Sequence, residues 1–151
     1  MFKISPNFYA EEFLFPEWIQ KWGVRAISYI DEELVLGSEV IRDHFGGKPM
    51  ILNNWFRPGG TFKYRGLRPR VRPTDQKWAE DSFHIYGKAE DFEIVGVDSL
   101  EVQAEIKKNW PKFRPYFSTM EEGTKGWTHL DRRWIANSKA SEKPFLVPIP
   151  K

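Results

Sequence analysis

The 151 residues are enough for one hydrophobic core and do not require a second domain. Aromatic residues make up 16% of the chain, with 7 Trp and 12 Phe, more ring surface than a disordered chain leaves in water. A net charge of +2 is too near balance to demand a polyanionic partner, and the absence of cysteine excludes disulfides and thiolate-bound metal, so any metal would rest on His, Asp, Glu or water.

The amino-terminal MFKISPNFYAEEF lacks the apolar stretch and small-residue cleavage site of a secretory signal. No run of about 18 apolar residues follows anywhere. The chain is therefore expected to be soluble and cytoplasmic as made. Residues 6–19 place Phe8, Phe13, Phe15 and Trp18 among acids, which predicts short helical turns pinned to the body by aromatics. From Asp31 to Phe45 the acids come first, Leu34, Val35, Ile41 and Phe45 form a helical stripe, and Gly46-Gly47 follow, so a helix is predicted. Pro49 and the apolar residues 50–52 predict a short buried strand running into Asn53 and Asn54, which favour turns. Residues 57–73 mix paired glycines, prolines and arginines and predict a long irregular loop that presents cations.

The stretch 88–95 is strand-like in its second half, and 99–110 carries Leu100, Val102, Ile106 and Trp110 at helical spacing before Pro111 stops it. Residues 116–120 and 126–134 predict a hairpin turned by EGTK, and 137–151 a polar, proline-containing tail.

Only three histidines occur, at positions 44, 84 and 129. His44 lies near the C-terminus of the first predicted helix, where the helix dipole favours a cation, and receives no role. His84 and Asp91 are seven residues apart with Gly87 between them, so a loop can leave one strand and return both side chains to one point. His129 supplies a third ligand from a separate strand. Singly, His84 or His129 would read as a satisfied buried histidine. Jointly with Asp91 they form an N, O, N set suited to zinc (Zn2+), with a fourth position open to water and hence to catalysis.

Ser82, His84, Gly87, Ala89 and Asp91 spell S-x-H-x-x-G-x-A-x-D, and Trp127, His129 and Asp131 spell W-x-H-x-D. Together these resemble the two signature elements of the D-Ala-D-Ala carboxypeptidase group of zinc peptidases. That group includes phage endolysins and is similar in fold to the hedgehog signalling domain. The resemblance covers roughly residues 8–135. It implies a small single α+β domain with an antiparallel sheet flanked by helices, zinc at His84, Asp91 and His129, and hydrolysis of a peptide bond in bacterial peptidoglycan. The run N-N-W-F-R-P-G-G followed by R-G-L-R resembles the phage-associated branch, where an arginine after the strand holds the substrate carboxylate. That role falls on Arg57, with Arg65 and Arg68 equally able to form a bidentate clamp and a solvated basic loop as the plain alternative. The rings of Trp55, Phe62 or Tyr64 would flank the substrate. Release to the cell wall would then depend on a partner such as a holin, or on carriage in a phage particle.

One position departs from the family pattern. The general base often stands three residues before the last ligand, and that position is Gly126. A turn of three or four residues leaves Glu121 near the end of the first hairpin strand. In the shorter case Glu121 faces Trp127, on the face that carries His129. Glu122 then points to the other face, and a slip of one residue exchanges the two. Asp131 shares the face of His129 and is expected to orient an imidazole, the alternative being an ion pair with Arg132 or Arg133. A zinc-holding module without turnover and, more weakly, a nucleic-acid surface on the arginine loop are the competing readings.

Overall fold

The computed structural model describes residues 1–148. Its frame is a five-stranded sheet of β1 (Met50–Ile51), β2 (Ala89–Ile94), β3 (Thr119–Glu121), β4 (Thr128–Asp131) and β5 (Phe145–Val147), in the order β1-β2-β4-β3-β5. Four helices accompany it: α1 (Pro16–Trp22), α2 (Glu32–His44), α3 (Ser99–Lys108) and α4 (Trp110–Phe113). No helix among the described residues is long and apolar enough to cross a membrane.

Strand alternation divides the sheet into two chemically different faces. Phe92 and Ile94 of β2, Met120 of β3 and Leu130 of β4 join Leu34 and Ile41 of α2, Val102 and Ile106 of α3, and Trp110 and Phe113 of α4 in one buried core. The intervening residues Asp91, Glu121, His129 and Asp131 occupy the opposite face. Asp31 caps α2 by accepting from the Glu33 amide at 3.0 Å, and Asp98 caps α3 through Leu100 at 2.9 Å. Both helices thus start where an acid satisfies free amides and the helix dipole favours negative charge.

The sheet is mixed. β1–β2, β2–β4 and β3–β4 pair antiparallel, but β5 lies parallel to β3, with Thr119 opposite Phe145 and Glu121 opposite Val147. The expectation of an antiparallel sheet is corrected accordingly, and residues 145–147 of the supposed tail form the edge strand. The expected helix to Trp110 breaks at Asn109: α3 ends there, and Pro111 sits in the first turn of α4, where its missing amide costs nothing. The β3–β4 connection spans residues 122–127, longer than the expected turn of three or four.

Residues 52–82 contain no helix or strand, as the arginine-loop reading predicts, yet their backbone is anchored. Asn53 accepts from the Arg65 amide at 2.8 Å, the Leu67 amide donates to Phe13 O at 2.6 Å, and the Asp91 amide donates to Arg65 O at 2.7 Å. The loop is thereby laid beside β2 and over the polar face of the sheet. His84 sits not on a strand but in a 3-10 turn, Phe83–Tyr86, closed by Gly87 at φ 65°. A Cβ on Gly87 would lie 2.0 Å from Tyr29 O, so position 87 demands glycine both for its left-handed backbone and for this close approach. Gly87→Ala should therefore lower the unfolding free energy by at least about 1–2 kcal/mol in denaturant titration, the cost of the left-handed conformation alone.

Candidate metal centre

The β2–β4 register sets the site. Asp91 and His129, far apart in sequence, are direct cross-strand partners, so their side chains emerge side by side on the polar face. The loop carrying His84 closes over them. His84 Nε2 lies 3.2 Å from His129 Nδ1 and 3.4 Å from Asp91 Oδ1, and His129 Nδ1 lies 2.8 Å from Asp91 Oδ1. All three residues are buried, and each offers one donor atom to a common point that could hold a metal ion.

Each imidazole is held from behind. His84 Nδ1 donates to Gly66 O at 2.7 Å, which leaves Nε2 with its lone pair toward the centre. Burial, and then the Arg68 charge, pushes the His84 pKa down to about 4, so this ring is neutral at pH 7. On the far side of the centre, His129 Nε2 donates to Asp131 Oδ2 at 3.2 Å. Burial opposes a charge on His129, but hydrogen bonds to Asp131 and Asp91 outweigh it and raise the pKa to about 10. Burial pushes the Asp91 carboxyl up, yet the two imidazoles outweigh it and hold it well below the ordinary range. The same balance holds for Asp131: its burial is outweighed by hydrogen bonds from His129 and Arg133, which keep it ionised. His129 Nδ1 and Asp91 Oδ1 stand at hydrogen-bond distance, so a divalent ion at the point where the three donors converge would have to displace a proton between them.

Asp131 fills both roles weighed for it from sequence. It accepts from His129 and also receives Arg133 through Nε and Nη2. Arg132 turns away to Glu33 and to Asp31.

The triad lies on the wall of a cavity of about 450 Å³ that Glu121, Arg68, Lys77, Trp78, Trp127 and Arg133 also line. Glu121 follows the β3–β4 ladder: Thr119 faces Asp131 and Met120 faces Leu130, so the next rung sets Glu121 against His129 rather than Trp127. The face expected for Glu121 holds, while the register is shifted. Burial raises its pKa above the usual carboxylate value. Glu122 points outward and pairs with Lys107 at 2.6 Å.

Arg57 is not brought to the triad. Its side chain is 60% exposed, pairs with Glu12 at 3.4 Å and lines a separate depression beside Asn53 and Gly59. Arg65 pairs with Glu93 and stacks on Phe62 at 3.5 Å. Arg68 is the loop arginine that reaches the site, where Nη2 binds Asp91 Oδ2 and Nε donates to Tyr64 O at 2.7 Å. Nor do Trp55, Phe62 or Tyr64 line the cavity; Trp55 is turned toward Leu14 O, and the rings on the wall are Trp78, Phe83 and Trp127. Lys77, Trp78 and Phe83 carry no motif and were not identifiable from sequence. Arg133 was legible only as an ion partner for Asp131; it lies beyond the end of β4, and nothing in the sequence set it on the cavity wall.

Because Asp131 orients a donor ring without touching the centre, Asp131→Asn should weaken binding of one divalent ion per chain about 10- to 100-fold in chelator competition. His84→Ala should abolish the stoichiometric site. Comparison with protein-family models, with curated proteins and with solved structures finds no match for this chain, so the site rests on its own residues and geometry.

Proposed function

We propose that this chain is a zinc-dependent peptidase that hydrolyses a peptide bond in bacterial peptidoglycan, as a carboxypeptidase or an endolysin-like endopeptidase. The observation that carries the reading is the meeting of two imidazoles and a carboxylate at one buried point beside a cavity with a further carboxylate, Glu121, on its wall. A tetrahedral ion with arms of about 2.0–2.1 Å separates its ligands by about 3.3–3.4 Å. The three donors stand 2.8, 3.2 and 3.4 Å apart, so zinc fits with little adjustment. The nitrogen and oxygen donor set also suits zinc better than the all-oxygen shells that magnesium and calcium prefer.

Bound zinc would supply Lewis acidity, making water a stronger acid and a carbonyl a better electrophile. The chain's own residues do the rest. Glu121, kept partly desolvated, takes the proton of the attacking water and can return it to the departing amine. Arg68 and Asp131 hold Asp91 and His129 in place, each with a charge-assisted hydrogen bond from behind. Lys77 and Arg133 add positive charge to the cavity wall and favour a substrate bearing carboxylates, while Trp127 and Phe83 bound its apolar side. The peptidoglycan substrate follows from the likeness of the two sequence elements to the D-Ala-D-Ala carboxypeptidase group.

A second reading is favoured by Gly126, which leaves the family's usual base position without a side chain. There the site holds zinc and turns over nothing. Liquid chromatography and mass spectrometry of digested muropeptides separate the two. The zinc-loaded chain should release cut stem peptides, and Glu121→Gln should keep its zinc and lose about 10²- to 10⁴-fold in rate. Glu122→Gln should cost little. Full zinc with no cut product would support the binding module, and full activity in Glu121→Gln would remove Glu121 as the base.

A further inference from the structure

The His84 turn has a second side. While His84 points inward to the metal centre, Tyr86 from the same turn projects outward and is 55% exposed. Tyr86 borders a groove of about 850 Å³ that runs between the turn and the segment from α1 to the start of α2. The opposite wall is aromatic. Tyr29, 44% exposed, meets Trp18 edge to face with ring centroids 4.9 Å apart. The two walls are stitched together at the base, where the Asp31 amide donates to Gly87 O at 3.3 Å and Gly87 packs against Tyr29 O. The groove is therefore a built feature of the fold, and it shares its backbone with a metal ligand.

Polar groups of both signs rim these rings. Glu17 and Asp31 offer carboxylates, Lys21 and Lys88 offer ammonium groups, and Arg70 a guanidinium, while Arg68 at the groove's inner end is paired with Asp91. A polyanion would have to lie against the two carboxylates as well as the bases, and a purely apolar occupant would leave charges of both signs desolvated. A ligand with an apolar ring face and a periphery of hydroxyl and amide groups satisfies both the aromatic walls and the mixed rim. Sugar rings have that chemistry.

We propose that this groove binds a glycan of N-acetylated amino sugars, the strand to which the stem peptides of peptidoglycan are attached. The proposal deepens the peptidase reading and rests on it for the identity of the polymer, but glycan binding is measurable without turnover. Tyr29 and Tyr86 supply faces for the sugar rings, and Glu17, Lys21 and Lys88 hydrogen-bond their substituents. Anchoring the strand here would hold a tethered peptide near the cavity that Arg68 shares with the groove.

The test is titration of the full chain with chitotetraose, a peptide-free N-acetylglucosamine oligomer, followed by tryptophan fluorescence and calorimetry. Saturable binding is expected, with Trp18 beneath the site reporting it. Tyr86→Ala and Tyr29→Ala should each weaken it about 2- to 10-fold, the range for loss of one aromatic contact. Circular dichroism confirms that each variant is folded, and the two replacements guard against failure of either. No binding by the wild type, binding unchanged in both variants, or binding instead to phosphatidylglycerol vesicles would each overturn the proposal. Oligosaccharide binding without peptide cleavage would leave the groove assignment standing and remove the peptidase reading.

Discussion

A single rung of the sheet organises this molecule. Asp91 and His129 are cross-strand partners, and that pairing places an anion and an imidazole in contact on a face that is otherwise closed by the irregular 52–82 loop and the His84 turn. Such a cluster of buried polar groups is expensive unless each group is satisfied. Here each one is: Gly66 O holds His84, Asp131 holds His129, Arg68 holds Asp91, and Arg133 holds Asp131. The three inward-facing donor atoms are what this network leaves free for a metal ion.

The opposite face explains why the arrangement is rigid. Phe92 and Leu130 flank the ligand-bearing positions on β2 and β4 and are locked into the same core as α2 and α3. A shift of one residue in either strand would bury Asp91 or His129 among phenylalanine rings and expose an apolar side chain, so the hydrophobic pattern enforces the ligand register. Glu121 inherits its place from the same constraint, with Met120 pinned in the core beside it.

The parts of the fold that were legible in the sequence are those specified locally. The helix after Asp31 and the second half of the strand at 89–94 follow from caps and composition, and the convergence of His84, Asp91 and His129, which could hold a metal ion, from two short elements. The parts that were not legible depend on long-range backbone contacts. Which loop arginine reaches the site is decided by bonds from Leu67 to Phe13 and from Arg65 to Asn53, and these deliver Arg68 while leaving Arg57 with Glu12. The edge strand β5 escaped notice because three residues with Phe145 and Leu146 largely exposed carry no burial pattern. The Glu121 register was open because pairing with Trp127 across a short turn and the ladder's pairing with His129 differ by two residues and so preserve the same face.

The central claim is that His84, Asp91 and His129 together ligate one divalent ion. X-ray absorption at the zinc edge of the chain loaded with one equivalent tests it most directly. Expected is a first shell with two imidazole nitrogens and carboxylate oxygen at about 2.0–2.2 Å, a shell that is lost with the bound zinc in His84→Ala. A shell of oxygen alone, or a spectrum indifferent to that replacement, would contradict it.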